Sequence, residues 1–174
     1  MHQLSLEFSR PLDVTRVPKQ GCTEKVSAEP QECAALAMRL GLPAIHALAA
    51  ELHISRWQGE GLKVKGRFSA DLEQVCVVSL DMFRQALTDT FESYFLPARK
   101  SAGADEAAIE EGDAEPFENG IIDMGEAVVE ALALSIDPYP KKPDVTFSDL
   151  VEAPEEPAKR NPFAGLGRLK ESKD

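Results

Sequence analysis

Polar and apolar residues alternate through the middle of the chain, which is the pattern of β-strands that have one side in a core. The clearest strand has apolar positions Leu62, Val64, Phe68, Ala70 and Leu72, and polar positions Lys63, Lys65, Arg67 and Asp71. The segment 58–61 contains two glycines and separates this strand from the preceding one, as a hairpin turn does. The sequence therefore predicts a meander of three antiparallel strands at about 47–57, 62–79 and 83–96.

The second turn of this meander is harder to place. The run 75–80 is apolar apart from Ser79, so we assign it to the end of the second strand. The turn is then expected at Asp81 and Met82. One side of the third strand carries Phe83, Leu87, Phe91 and Phe95. Pro97 ends this strand because a proline cannot continue a ladder of hydrogen bonds.

Before the meander, Pro30 can begin a helix over 31–40, with Leu36, Ala37 and Leu40 on one side, which Gly41 ends. The segment 43–57 fits two periods. Its apolar residues recur at helical spacing in Ile45, Leu48, Ala49 and Leu52, and at strand spacing in Leu48, Ala50, Leu52 and Ile54. We favour a strand over 47–57, because the strand that follows needs an antiparallel partner nearby.

The first thirty residues give weaker signals. Leu4, Leu6 and Phe8 alternate with polar residues, which indicates a half-buried strand that Pro11 closes. The segment 12–28 mixes glycine, proline, threonine and charge, and it predicts a strand fragment at 13–17 followed by a loop.

A helix that is apolar on nearly every side is predicted at 124–136. Asp123 is placed to cap its first backbone N–H groups, and Glu126 is placed to reach back three residues. Such a short apolar helix is typical of the centre of a domain. Pro138 ends it, because the residue before a proline leaves the α region. Glu126 and Glu130 share its one polar strip, which a cap and a solvated face explain without any chemistry.

Acidic residues dominate the segment 101–118, where seven occur and no basic residue does. Few apolar groups are available there to offset the entropy of ordering, so we predict a flexible acidic loop at about 98–118. The segment 145–151 predicts a short strand or a turn.

The tail 157–174 reverses the sign of the charge and is basic. Phe163, Leu166 and Leu169 recur in it at three-residue spacing, so it is either a short helix that docks on a partner or a disordered terminus. We expect a single α+β domain over 1–156, followed by this tail.

The 174 residues carry a net charge of −11, which argues against broad electrostatic binding to RNA or to anionic membranes but permits basic protein partners. No signal peptide and no apolar run of about 18 residues is evident, so we expect a cytoplasmic protein without a membrane span. Three irregularly spaced cysteines, Cys22, Cys33 and Cys76, predict reduced thiols.

No spacing in the sequence indicates a metal site or a catalytic centre. His46 and His53 are seven residues apart, the cysteines form no CxxC pair, and hydrolase and phosphate-loop motifs are missing. We therefore predict no cofactor and no enzyme activity. The strip Lys63, Lys65 and Arg67 is either a contact for RNA phosphates or a solvated side of the sheet.

Three segments, 66–95, 120–141 and 161–170, together carry a resemblance to a known family. Their motif residues are Cys76, Leu80, Asp123, Glu126, Glu130, Pro138, Asn161, Pro162 and Phe163. In this order, with an acidic loop between the first two segments, they resemble the YceD family of bacterial and plastid proteins, the large ribosomal RNA subunit accumulation proteins. The resemblance extends from about residue 35 to residue 170.

One position departs from the family pattern. Many members carry Cys-x-x-Cys-Leu, whereas this chain has Cys76, Ser79 and Leu80 at those positions. A thiolate pair there can hold a metal or change redox state. With Ser79 in place we expect no such role, and Cys76 is expected to be a small buried residue of the second strand.

The resemblance implies a non-catalytic factor that promotes the accumulation or processing of 23S rRNA, and it implies no small-molecule substrate. Two mechanisms are compatible with the charge: the acidic loop and helix bind a basic ribosomal protein or assembly factor, or the Lys63 strip and the basic tail contact 23S rRNA. We expect the first to dominate. The alternatives are a small enzyme or metal-dependent protein with an unrecognised site, and a generic protein-interaction module. The expected fold is an antiparallel β-meander, open or curled toward a barrel, packed against one or two helices.

Overall fold

The computed structural model describes residues 6–98, 114–143 and 145, and these form seven strands and two α-helices. The strands are β1 Pro11–Asp13, β2 Cys22–Ser27, β3 Ala44–Trp57, β4 Gly61–Val75, β5 Met82–Pro97, β6 Ala114–Phe117 and β7 Ile121–Asp123. The helices are α1 Pro30–Leu40 and α2 Met124–Ser135. A short 3-10 helix, Val14–Arg16, follows β1.

The main sheet contains five of the described strands in the spatial order β2-β3-β4-β5-β6. The strands β2 to β5 are antiparallel to their neighbours, whereas β6 pairs in parallel with the end of β5. Within the described residues this sheet is open rather than closed into a barrel, and β1 and β7 form a separate antiparallel pair. The α+β prediction, an antiparallel meander packed against helices, is confirmed.

One side of the main sheet, here called the inner face, is apolar and is covered by the helices. Its buried residues include Leu48, Leu52, Ile54, Leu62, Val64, Phe68, Ala70 and Leu72. They pack with Cys33 and Leu36 of α1 and with Val128, Val129 and Leu132 of α2 in one continuous core. The alternation predicted for β4 is thus confirmed, because all its predicted apolar positions are buried.

A glycine in the middle of β4 makes room for an aromatic ring on this inner face. Gly66 is paired with Phe91 of β5, and a Cβ atom at Gly66 would overlap the Phe91 ring. The ring centroids of Phe91 and Phe68 are 6.5 Å apart and the rings are tilted by 46°, a favourable arrangement for two aromatic side chains.

The helix α2 begins where the sequence predicts. The Oδ1 atom of Asp123 accepts hydrogen bonds from the backbone N–H groups of Gly125, at 2.9 Å, and Glu126, at 3.2 Å. The side chain of Glu126 does not reach back to the cap, however, because it pairs with Arg39 of α1. The helix ends at Ser135, shortly before Pro138, as predicted. The predicted helix at 31–40 and its end at Gly41 are also confirmed.

The segment before β1 is held by charge-assisted hydrogen bonds, which are stronger than neutral ones. Arg10 donates from both terminal nitrogens to Glu32 of α1, each at 2.8 Å, and from Nη2 to the carbonyl oxygen of Ser27 at 2.9 Å. The backbone N–H of Arg10 donates to Asp123 at 2.8 Å. These bonds connect the segment to both helix starts and to the end of β2.

The predictions for the first thirty residues were wrong. The described part of the expected strand at 4–9, residues 6–9, is irregular, and it contributes a single buried anchor, Phe8. The expected strand fragment at 13–17 is mainly the 3-10 helix, and the strand β2 occupies 22–27, where a loop was expected. The strand β2 exists because it pairs along its whole length with β3, a tertiary contact that overrides its weak local signal.

The predicted end of the second meander strand was also wrong. The strand β4 ends at Val75, and residues 76–81 form the turn. The backbone N–H of Cys76 donates to the carbonyl oxygen of Asp81 at 2.9 Å, and the N–H of Leu80 donates to that of Cys76, also at 2.9 Å. Leu80 adopts the left-handed backbone conformation, with φ of 61°, which few leucines do.

The predicted loop at 98–118 was wrong for its last residues, since 114–117 form β6. This strand pairs with residues 94–97 of β5, so its structure depends on a partner that is distant in the sequence. Residues 99–113, the segment 146–151 and the tail 157–174 lie outside the described residues.

Replacing Leu132 by alanine should lower the free energy of unfolding by about 2–5 kcal/mol, because its fully buried side chain lies between α2 and the sheet. Leu134 of the same helix is 89% exposed, so Leu134→Ala is the matched control, with an expected effect below about 0.5 kcal/mol. Chemical denaturation of both variants measures the difference. Equal effects would show that the core is placed wrongly.

Candidate functional site

The outer face of the main sheet, opposite the inner face, carries the strip Lys63, Lys65 and Arg67. These residues alternate with the buried positions of β4, so all three project to the same side. On β5 their paired residues are Tyr94, Glu92 and Thr90. The two described helices pack on the inner face, so neither of them covers this side of the sheet.

A single carboxylate compensates two of these cations. Glu92 lies 2.6 Å from the Nζ of Lys63 and 3.1 Å from the Nζ of Lys65, and it also accepts a hydrogen bond from the hydroxyl of Tyr94. The bonds from Lys63, Tyr94 and Lys65 lower the pKa of Glu92 to about 2. Arg67 forms no ion pair with any described residue. The strip is therefore less positive than its sequence suggests.

Two aromatic residues stand at the end of this strip, and sequence reasoning missed them. The ring centroids of Trp57 and Tyr94 are 4.7 Å apart, and the rings are tilted by 54°. The Nζ of Lys63 lies 4.9 Å from the centroid of the Tyr94 ring and 2.9 Å from its hydroxyl oxygen. The signal was present, because the alternation of β3 and β5 places Trp57 and Tyr94 on the side of Lys63.

The outer face is close to neutral, although the chain as a whole carries −11. By alternation and pairing, its charged residues are the cations Lys25, Lys63, Lys65, Arg67 and Arg84 and the carboxylates Glu51, Asp71, Glu73 and Glu92. Five cations against four carboxylates leave about one positive charge. A shallow depression of about 700 Å³ beside the strip is lined by Thr23, His53, Lys65, Arg67, Thr90 and Glu92.

Three carboxylates, Glu115, Glu126 and Glu130, lie close together on the side formed by α2 and β6. Burial raises the pKa of Glu115, and the nearby charges of Glu130 and Glu126 raise it further. Burial and the charge of Glu126 likewise raise the pKa of Glu130, and the charge of Arg39 offsets part of this rise. Glu126 is paired with Arg39, whereas Glu115 and Glu130 form no ion pair with a described residue. We call this pair, Glu115 and Glu130, the acidic pair.

Cys76 is fully buried, as expected, but it lies in the β4–β5 turn rather than in the strand. Its Sγ atom accepts hydrogen bonds from the backbone N–H groups of Lys142 and Ser79, both at 3.4 Å. These donors, that of Lys142 foremost, lower the pKa of the thiol to about 6. The N–H of Val77 donates to the carbonyl oxygen of Pro140 at 2.9 Å, so the segment after α2 is fastened to the turn.

The histidines lie apart and have other partners. The Nε2 of His46 is 3.0 Å from Glu73, and the Nδ1 of His53 is 3.4 Å from the hydroxyl of Thr23. Over residues 6–98, 114–143 and 145, no group of three or more His, Cys, Asp or Glu side chains converges as metal ligands do. Neither described helix is long and apolar enough to cross a membrane.

Comparison with family models identifies the chain. Residues 64–170, more than half of the sequence, match the model described as large ribosomal RNA subunit accumulation protein YceD. The chain belongs to the YceD family. The resemblance stated from the motifs is therefore confirmed, and membership gives the chain a role in the accumulation of large-subunit ribosomal RNA. Comparisons with curated proteins and with solved structures give no match.

The YceD match begins inside β4, so β1 to β3 and α1 precede it. In the described part, three YceD motif residues have structural partners: Asp123 caps α2, Glu126 pairs with α1, and Cys76 accepts hydrogen bonds from Ser79 and Lys142. Glu130 belongs to the acidic pair, and Leu80 is 75% exposed at the tip of the β4–β5 turn. The motif residues Asn161, Pro162 and Phe163 lie outside the described residues.

The buried thiol of Cys76 should make stability depend on pH. The pKa of this thiol is about 6 in the folded chain, below its ordinary value of 9.0. The thiolate therefore stabilises the folded chain fully at pH values above 9.0, and this stabilisation is lost as the pH falls through 6. The difference in melting temperature between the natural chain and Cys76→Ala should therefore shrink from about pH 9 to pH 6.

Circular dichroism melts over this pH range provide the measurement. Cys22→Ala is the control, because burial raises the pKa of the Cys22 thiol, which stays neutral below about pH 8 in the folded and unfolded chain. The difference in melting temperature between the natural chain and Cys22→Ala should be constant below about pH 8. If the difference in melting temperature between the natural chain and Cys76→Ala is equally constant, Cys76 is not a thiolate in the folded chain.

Proposed function

We propose that this YceD chain acts as a non-catalytic accessory factor in the cytoplasm, promoting the accumulation or processing of 23S rRNA by binding components of the assembling large subunit. Its main contact is a basic ribosomal protein or assembly factor, and RNA is touched locally. The observation that supports this order of partners is the distribution of compensated charge over the two sides of the molecule.

The acidic pair supports the protein contact. Burial, and after it the charges of neighbouring carboxylates, raise the pKa of Glu115 and of Glu130, and neither side chain forms an ion pair with a described residue. A lysine or arginine from a partner would relieve this repulsion and gain charge-assisted hydrogen bonds. The net charge of −11 also attracts a basic partner from a distance.

The outer face supports a weaker, local contact with RNA. Two cations of its strip already share Glu92, so few positive charges are free to displace counterions from phosphates. The rest of the protein repels phosphates through its net charge. Affinity for RNA therefore has to come from a small area and from interactions other than charge.

Two variants separate these contacts in cells. The acidic variant carries Glu115→Gln and Glu130→Gln, and it should fold well because it removes a repulsion. The strip variant carries Lys63→Gln, Lys65→Gln and Arg67→Gln. Tagged chains are recovered from cells in which they replace the natural protein, their bound proteins are identified, and 23S rRNA is quantified.

The acidic variant should lose a basic large-subunit protein from its bound set and lower 23S rRNA severalfold. The strip variant should retain that protein and keep most of the rRNA. If the strip variant loses rRNA and the acidic variant behaves like the natural chain, RNA is the main partner and the proposed order is wrong.

A further inference from the structure

Building on the proposed local contact with RNA, we infer that the outer face binds unpaired RNA, with one base stacked on Trp57 and neighbouring phosphates on Lys65 and Arg67. The inference names the class of nucleic acid and the side chain that recognises it. It rests on the geometry of the aromatic pair, on the compensation of the lysines and on the depression beside the strip.

Trp57 is the ring available to a base. Tyr94 is also half-buried, but its ring already contacts two side chains: the Trp57 ring, with centroids 4.7 Å apart, and the ammonium of Lys63, 4.9 Å from the Tyr94 centroid. Trp57 is half-buried and retains exposed surface at the end of β3. Contact with Tyr94 holds the indole in place, so little conformational entropy is lost when a base stacks on it.

Phosphates farther along the same strand have partners in the depression around Lys65 and Arg67, which reaches His53, four residues before Trp57 on β3. Its lining includes Lys65 and Arg67 and the hydroxyl groups of Thr23 and Thr90, which can donate hydrogen bonds to phosphate oxygens, together with the carboxylates of Glu51 and Glu92. Arg67 has no competing ion pair among the described residues. The depression is shallow and open, as suits an extended strand rather than an enclosed small molecule.

The charge balance favours unpaired over double-stranded RNA. A duplex offers phosphates and hides its bases, so its affinity depends on cations, and here Glu51 and Glu92 offset most of them. An unpaired strand adds base stacking, which is insensitive to sequence and to the net charge of the protein. Affinity should therefore be modest and should depend only weakly on salt.

Glu92 limits binding in this arrangement. It occupies the ammonium groups of Lys63 and Lys65, which phosphates would otherwise contact. Glu92→Gln should release both lysines and tighten binding about tenfold, with a steeper dependence on salt. Asp71→Asn is the charge-matched control, because it also removes one negative charge and Asp71 pairs with Arg84 farther along the same face and away from Trp57.

The test uses the full chain and its single tryptophan as a reporter. An unpaired RNA 12-mer and the same sequence in a duplex are titrated, while Trp57 fluorescence and the anisotropy of a label on the RNA are recorded. We expect the unpaired strand to bind and to quench the fluorescence, and the duplex to do neither. By anisotropy, Trp57→Ala should weaken binding about tenfold and Trp57→Phe only severalfold.

Three results would overturn the inference: equal binding of duplex and single strand, a Trp57→Ala variant that binds as the natural chain does, or no binding of either RNA. The capture of protein partners by the acidic variant and by the natural chain is scored separately. If neither RNA binds but the natural chain still captures its protein partner, this inference is wrong and the proposed function is retained. If the unpaired RNA binds but no protein partner is captured, this inference is retained and the proposed main contact with a protein is wrong.

Discussion

The structure depends on burying the apolar inner face of the main sheet beneath α2. The three long strands β3, β4 and β5 present one continuous apolar surface, and a sheet of this kind is stable only when that surface is covered. Because α2 has the sheet on one side and the segment around Phe8 on another, it must be apolar on nearly every side. The contact between α2 and the segment around Phe8 is close, because a Cβ atom at Gly125 would overlap the carbonyl oxygen of Phe8.

The same packing explains where partners can reach the molecule. The helices and the segment before β1 cover the inner face, and ion pairs of Arg10 and Arg39 fix that cover in place. Within the described residues, the outer face carries charges that nearly balance, and three carboxylates, Glu115, Glu126 and Glu130, lie close together on β6 and α2. In the proposed function, this division would provide two chemically different contacts, one for a basic protein and one for RNA.

The sequence predicts those parts of the fold that depend on local pattern. The alternation in β4 and the apolar run of α2 are long and unambiguous, so both elements lie where expected. The errors fall where a distant partner decides the structure: β2 forms on β3, and β6 forms on β5. The turn at Cys76 was misplaced because an apolar run of residues resembles a strand, and its hydrogen bonds to Lys142 arise only after folding.

The sequence predicted only part of the candidate site, because the rest depends on how the strands and helices pack together. The alternation placed Lys63, Lys65 and Arg67 together, but strand register was needed to reveal that Glu92 compensates two of them. Register also brings Trp57 to Tyr94. The acidic pair joins residues from separate elements, so its crowding is visible only in the folded chain.

Site-specific photo-crosslinking in living cells tests the division of contacts most directly. A photoreactive amino acid is placed at position 130 of α2 or at position 65 of the outer face, and the adducts are analysed for protein and for RNA. The account predicts that position 130 yields a basic protein of the large subunit and that position 65 yields 23S rRNA. Adducts of RNA at position 130, with basic protein at position 65, would contradict it.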